Sequence, residues 1–263
     1  MSSLLNYTLH LADNNLILAQ RNGEWCAHGP ILEQDIAITN ITLDLIGQAR
    51  NFYQYAAELF NNTVLPELKN PEASPFGGGL EGVTEDSLAY LRTEREFKNC
   101  LMVELPNGDW AQTVLRQFLF SVYQYQLYEQ LSAGKDAQLA AIAEKSLKEV
   151  TYHVKWSGDW VIRLGDGTEE SHQRITDAVS YLWMYTGELF ENADFEKDMQ
   201  IDNALLQTKW LEKVRAVFEE AAIELPGETF MQGGGKQGRH TEHLGFLLTE
   251  LQYLQRTYPG AEW

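Results

Sequence analysis

The sequence predicts an all-α fold on three observations. Its seven prolines leave residues 107–225 without one, which permits long helices because proline breaks a helix interior. Apolar residues recur every three or four positions, as in Ile38, Ile41 and Leu45, which is the spacing of one helix face. Runs of alternating apolar and polar residues, the pattern of strands, are scarce.

Turn residues divide the chain into eight predicted helices. Gly134, the turn at 165–167 and the Pro-Gly pair at 226–227 each end one of them. Three prolines and four glycines crowd between residues 61 and 83, so this segment is predicted to be a long excursion from the helical chain. The predicted helices span residues 5–27, 32–60, 85–104, 110–133, 137–164, 169–191, 203–223 and 240–257.

Two of these helices are almost free of charge. Residues 36–49 contain one charged side chain, Asp44, and residues 117–128 contain none. Because a surface helix shows a charged face, both are expected to be enclosed on most sides, as central members of a helical bundle. A carboxylate in such a helix needs a partner, since an unpaired buried charge is costly.

Composition narrows the functional classes. The 263 residues include 20 Lys and Arg against 38 Asp and Glu, a net charge of −18, which disfavours binding to nucleic acids or anionic membranes. The length fits a single domain over residues 1–263. No apolar run could span a bilayer and no secretion signal is recognisable, so a cytoplasmic protein is expected. Both cysteines, Cys26 and Cys100, are expected to be buried small apolar residues and not metal ligands.

A four-helix bundle can hold a di-iron centre, which needs one carboxylate on each of two helices and Glu-x-x-His on the other two. The one Glu-x-x-His in the sequence, Glu169 to His172, follows a turn and is interpreted as an exposed helix start. His240-x-x-His243 follows a Gly-rich loop without clustered partners, so a zinc site there is not expected.

Two similar five-residue segments are more informative, DLIGQ at 44–48 and EVTYH at 149–153. Each has an acid followed four residues later by Gln or His, and an apolar residue three before that Gln or His. Taken alone, such spacing indicates ordinary hydrogen bonds along a helix. In nearly uncharged bundle helices, the two segments are interpreted as halves of a metal site whose ligands have been replaced.

At these residues the sequence resembles the PaaC-type subunits of bacterial ring-1,2-phenylacetyl-CoA epoxidases, and the resemblance covers nearly the whole chain. The segments that carry it are GEWCAHGP at 23–30, LDLIGQARNFYQYAAEL at 43–59, LPNGDWAQTVLRQ at 105–117, LAAIAEKSLKEVTYHVKWS at 139–157, and, further on, LGDGT, LWMYTGELF, HTEHLG and LQYLQR.

The resemblance implies a ferritin-like four-helix bundle with flanking helices. It also implies that the ligand positions of the related PaaA-type catalytic subunit fall on residues that mostly cannot bind iron. One imidazole without carboxylates cannot hold two irons, so no cofactor is expected in this chain. These degenerate positions are Gln20, Leu45, Gln48, Ser121, Val150 and His153.

The implied function is that of a structural, non-catalytic subunit of the multicomponent epoxidase of aerobic phenylacetate catabolism. It would bind and stabilise the PaaA-type subunit, which holds the di-iron centre and uses O2. Electrons are implied to come from NADPH through a reductase with FAD and a [2Fe-2S] cluster. Other epoxidase subunits are further implied partners, and the isolated chain is a possible homo-oligomer.

Two groups of residues are predicted to form sites, and two other functions compete with the implied one. Asp44, Gln48, Glu149 and His153 are expected to form a buried polar network. Lys236, Arg239 and His240, around the Gly-rich loop, are candidates for a contact with CoA or with a partner subunit. The competing functions are a di-metal oxidase or oxygenase with the variant ligand set Asp44, Glu149 and His153, and a stand-alone helical interaction protein.

Overall fold

A computed structural model of the protein describes residues 2–64, 82–259 and 261. Over these residues the chain is helical and contains no strand, so the predicted all-α class is confirmed. The ten α-helices of this part are α1 (Ser3–Gly23), α2 (Leu32–Leu59), α3 (Glu85–Tyr90), α4 (Leu101–Glu104), α5 (Trp110–Ser132), α6 (Ala137–Gly165), α7 (Glu169–Leu182), α8 (Asn203–Glu220), α9 (Glu242–Leu251) and α10 (Tyr253–Thr257).

The core of the fold is a ferritin-like bundle of α1, α2, α5 and α6. α1 packs along α2, α5 packs along α6, and α7 and α8 lie against α5. Side-chain caps set where these helices begin: Ser2 accepts the backbone N–H of Leu5, Asp109 that of Gln112, and Asp136 that of Leu139. These caps start α1, α5 and α6 at positions close to those predicted.

The two charge-poor helices differ in their surroundings. α5 is enclosed as predicted, and even its polar residues Arg116, Gln117 and Gln124 are buried. α2 is not, because neighbouring helices cover its inner side and leave Ile36 and Leu43 more than half exposed. The prediction that residues 36–49 are enclosed on most sides is therefore wrong.

The predicted helix over 85–104 is broken into α3, a 3₁₀ turn at Glu94–Glu96 and α4. The cause is the carboxylate of Asp13 on α1, which accepts hydrogen bonds from the Arg92 guanidinium and from the backbone N–H of Lys98. A backbone donor used in this way is lost to a helix. The segment between α3 and α4 is thus held across α1.

Two other predicted helices also differ from the observed ones in where they end. The predicted helix 169–191 continues after α7 only as 3₁₀ turns at Trp183–Tyr185 and Gly187–Phe190, and the last predicted helix is divided into α9 and α10. The Glu188 carboxylate stabilises the irregular part by accepting backbone N–H groups of Leu101, Gly234 and Lys236.

Most of the predicted excursion at 61–83 lies outside the described residues. Its two ends meet at Asn61, whose side-chain amide donates to the carbonyl of Val83 at 2.9 Å and accepts its N–H at 2.8 Å. Gly82, at φ +89°, lies against this amide. The excursion therefore begins and ends at one point of the fold.

Candidate functional site

The interior of the bundle contains a chain of hydrogen bonds that joins all four core helices. Asn15 of α1 donates to the hydroxyl of Tyr128 on α5 at 3.0 Å, and this hydroxyl donates to Oε1 of Gln48 on α2 at 3.4 Å. Nε2 of Gln48 donates to Glu149 of α6 at 2.9 Å, and Gln124 donates to Asn15 at 2.9 Å. Burial raises the pKa of the Tyr128 phenol, which stays protonated and can donate.

A second link joins the two segments singled out in the sequence. Nε2 of His153 on α6 lies 3.0 Å from Oδ2 of Asp44 on α2. The other ring nitrogen, Nδ1, is buried and has no hydrogen-bond partner among the described residues. Since a carboxylate only accepts, Nε2 is the donor of this bond. Asp44 is half-buried, whereas His153 is fully buried.

A third polar group lies closer to the start of α5. Asn22 of α1 donates to Gln117 at 2.6 Å, and Gln117 donates to the hydroxyl of Ser121 at 2.7 Å. Gln20, which the resemblance had suggested as a ligand position on α1, is half-exposed and takes no part. In these two groups of hydrogen bonds, the residues that α1 contributes are Asn15 and Asn22.

The donor set at the implied ligand positions does not fit a di-iron centre. Leu45 and Val150 are fully buried apolar residues, and Gln48 uses its amide within the protein. Two irons in this architecture need several carboxylate oxygens. In the described part of the chain, no three or more His, Cys, Asp and Glu side chains lie close enough together to hold a metal ion.

Sequence reasoning missed Asn15, Gln124 and Tyr128. A signal was present, because Gln117, Ser121, Gln124 and Tyr128 follow each other at spacings of three and four within the uncharged stretch 117–128. Such a polar stripe on an otherwise apolar helix indicates hydrogen-bonding partners inside the bundle.

The three residues proposed for contact with CoA or a partner subunit have different surroundings. Two of them, Lys236 and His240, have side chains that are buried and paired with carboxylates, so the prediction is corrected for these two. Lys236 is buried, and its ammonium group donates to both carboxylate oxygens of Glu196 at 3.1 Å, so it cannot meet an external phosphate. His240 lies 2.8 Å from Glu104. Burial lowers the pKa of His240, but the Glu104 carboxylate outweighs this and raises it above its ordinary value. Arg239 is exposed.

The remaining sequence motifs lie apart from the bundle interior. Glu169 is exposed at the first position of α7, as predicted, and Nδ1 of His172 bonds to the carbonyl of Gly165. Cys100 is buried as expected. Cys26 is exposed, so the prediction for it is wrong: it follows the end of α1, in the turn before α2.

The fold and its interior define an all-α, ferritin-like bundle in which amides, hydroxyls and apolar side chains occupy the centre. The chain belongs to the phenylacetic acid catabolic protein family, whose sequence pattern matches residues 1–263. It is similar to a subunit of the 1,2-phenylacetyl-CoA epoxidase of Escherichia coli (strain K12), with 44% identity over 268 aligned positions that cover both chains completely. Among the described helices, none has the length and apolarity that crossing a membrane requires.

Proposed function

We propose that this chain is a structural, non-catalytic subunit of a phenylacetyl-CoA 1,2-epoxidase, which binds and stabilises a PaaA-type catalytic subunit. The observation that carries the proposal is the bundle interior. Leu45 and Val150 fill it with apolar volume, and Gln48 donates to Glu149 at a position where a metal centre needs a ligand. The similarity to an epoxidase subunit over the whole length of both chains supports the same role.

A carboxylate-bridged centre needs ionised side chains directed at one point, and those charges are tolerated because the metal neutralises them. Here Leu45 and Val150 are apolar, Asn15, Tyr128 and Gln48 bond to one another, and the carboxylate of Glu149 accepts a hydrogen bond from the Gln48 amide. A bundle filled in this way acts through its surface, and the chemistry belongs to the subunit that it binds.

The iron content of the isolated chain tests the non-catalytic part of the proposal. The full chain is purified from cells grown with ample iron, and its metals are measured by mass spectrometry. We expect far less than one iron per chain, and the same amount in His153→Ala. About two irons per chain would contradict the proposal and favour the alternative of a di-metal oxidase that uses Asp44, Glu149 and His153.

Co-expression tests the structural part. The chain and a PaaA-type subunit are produced together and separately, followed by size-exclusion chromatography and an NADPH-dependent assay with phenylacetyl-CoA, O2 and the reductase. We expect co-elution, and loss of soluble, active catalytic subunit when this chain is omitted. Unchanged activity without it would refute the proposed role. Failure to co-elute would favour a stand-alone interaction protein.

A further inference from the structure

We propose that a groove between α5, α6 and α8 binds a small molecule that has one carboxylate and an apolar body. The groove, which we call the α8 groove, has a volume of about 450 Å³ and lies above three buried residues, Val122, Gly158 and Val217, one from each helix. This volume is within the range of small-molecule sites in proteins. The proposal concerns binding alone and does not depend on the function proposed above.

Gly158, on the floor of the α8 groove, is not required by the packing of the described residues. It lies inside α6, where a glycine lowers helix stability relative to alanine. A Cβ built on it would lie 3.4 Å from the ring of Phe118 and 3.8 Å from Val217, which are ordinary van der Waals distances. The helix therefore bears a cost that the fold does not explain. A ligand that approaches the backbone of α6 closely would explain it.

Two close contacts show how α6 and α8 are placed along the groove. A Cβ at Gly158 would lie near Val217, and a Cβ at Gly165, further along α6, would lie 2.7 Å from Cβ of Ala221, further along α8. Both helices therefore advance in the same direction. Residues that precede Gly158 and Val217 in the sequence lie at one end of the α8 groove, and residues that follow them lie toward the other.

The charged side chains at the rim are separated by sign between these two ends. Lys155 and Lys213 lie at the first end, and Asp159 and Glu220 lie toward the second. All four are exposed, and none of them forms an ion pair within residues 2–64, 82–259 and 261. The distance from Lys213 to Glu220 is about 10 Å along α8, at 1.5 Å per residue. The α8 groove thus has a cationic end, an apolar floor and an acidic end.

A further polar group favours the cationic end as the place for a charged head group. Gln126 of α5 lines the groove, and its side chain makes no hydrogen bond with a described residue. α5 and α6 are antiparallel because a short turn joins them, and Phe118 of α5 lies beside Gly158. Gln126 follows Phe118, so it lies on the side of Lys155, which precedes Gly158. At the acidic end the groove is lined by the apolar Ile162.

This arrangement fits an apolar monocarboxylate. Its carboxylate would accept charge-assisted hydrogen bonds from the ammonium groups of Lys155 and Lys213. Its apolar body would cover Val122, Val217 and the bare backbone at Gly158, which removes apolar surface from water. A second carboxylate at the far end of the molecule would meet Asp159 and Glu220 and be repelled. The α8 groove should therefore select monocarboxylates over dicarboxylates.

Isothermal titration calorimetry of the full chain tests the proposal. We expect hexanoate and phenylacetate to bind at one site with a Kd on the order of 1 mM, because each ligand has few non-hydrogen atoms. Adipate, a dicarboxylate with as many carbons as hexanoate, should bind about tenfold more weakly. Lys155→Gln and Lys213→Gln should each weaken hexanoate binding by about three- to tenfold, through loss of one charged donor. Lys145→Gln, at an exposed position on α6 outside the groove, is the matched control and should bind normally.

Gly158→Ala distinguishes a ligand site from a structural feature. The added methyl group should raise the midpoint of thermal unfolding of the unliganded chain, because alanine is the better helix former. The same methyl group should weaken hexanoate binding by about threefold, because it lifts the body of the ligand from the backbone. Gly47→Ala, at a glycine inside α2, is the matched control: it should raise the midpoint and leave binding unchanged.

Circular dichroism during the same thermal unfolding establishes that each variant is folded. The proposal would be overturned if neither monocarboxylate showed saturable binding up to about 10 mM. Unchanged binding in both Lys155→Gln and Lys213→Gln would overturn it as well. Tighter binding of hexylammonium than of hexanoate would place the head group at the acidic end, and this result too would refute a carboxylate site.

Discussion

Asp13 illustrates how single residues determine this fold. It is fully buried on α1, and its carboxylate accepts hydrogen bonds from the Tyr53 hydroxyl, the Arg92 guanidinium and the Lys98 backbone N–H. Burial lowers the pKa of Arg92, but Asp13 outweighs this and raises it above its ordinary value. One side chain thereby joins α1 to α2 and to the segment between α3 and α4.

Replacing Asp13 should be severe. Asp13→Asn leaves the Arg92 guanidinium buried without a negative partner, and we expect the free energy of unfolding to fall by about 3–5 kcal/mol. Tyr53→Phe removes one hydrogen bond and should cost about 1 kcal/mol. Urea unfolding of both variants checks this, and equal losses would contradict the ion-pair explanation.

His10 should make stability depend on pH. Burial, followed by the charge of Lys236, lowers its pKa from 6.5 to about 4. The unfolded chain therefore takes up a proton at His10 below pH 6.5, whereas the folded protein does not until about pH 4. The free energy of unfolding should decrease as the pH falls through this window, by at most about 3 kcal/mol from this residue.

Urea unfolding at several pH values between 4.5 and 7.5 measures this dependence. In His10→Asn the decrease should be smaller than in the wild type, whatever its absolute stability. His28→Asn, at an exposed position, should have the wild-type slope. His240 acts in the opposite direction, because its pKa is raised in the folded protein. The stability that it contributes is complete at pH values below its ordinary pKa, and it is lost as the pH rises through the pKa of the folded state. A wild-type slope in His10→Asn would refute the assignment.

At the scale of elements, the same residue type has opposite effects in different settings. Gly82, at φ +89°, closes the base of the excursion, and a Cβ there would lie 2.8 Å from Oδ1 of Asn61. Gly47 lies inside α2, and a Cβ built on it meets no atom of the described residues within 4 Å. A glycine is required at the first position and only lowers helix stability at the second.

Two matched substitutions test this contrast. Gly82→Ala should lower the free energy of unfolding by about 1–3 kcal/mol, through backbone strain and displacement of the Asn61 amide. Gly47→Ala should raise it by about 0.5–1 kcal/mol, because alanine is the better helix former. Denaturation at low protein concentration compares the two, and effects of the same sign would contradict this account.

The elements also show what sequence reasoning could reach. Periodicity and turn residues predicted the long helices because those signals are local. The scarcity of charge in α2 and α5 indicated that other protein surface packs against these helices. It does not indicate whether that surface belongs to the same chain. The burial of Lys236 depends on Glu196, forty residues away, so no local pattern announced it. The break after α3 was missed for the same reason, since it depends on Asp13.

For the whole molecule, the repulsion that results from its net charge of −18 is the dominant long-range interaction. Mutual repulsion among the carboxylates opposes the compact state, while the buried pairs are screened little by salt. Raising NaCl from about 10 to about 150 mM should therefore raise the midpoint of thermal unfolding by a few degrees. The combined variant Glu144→Gln, Glu219→Gln and Glu228→Gln, at three exposed positions, should respond less. A midpoint that falls with salt would refute this view.

The apolar side chains at Leu45 and Val150 also restrict how the sequence can change over time. A single glutamate introduced at Leu45 or Val150 would bury a carboxylate with no metal or cation to balance it, at a cost of several kcal/mol. Several such substitutions would have to occur together before a bound metal ion could offset the cost of the buried carboxylates. Each first substitution toward a metal-binding chain is therefore expected to lower the free energy of unfolding. Substitutions among neutral side chains of similar size are expected to change it little.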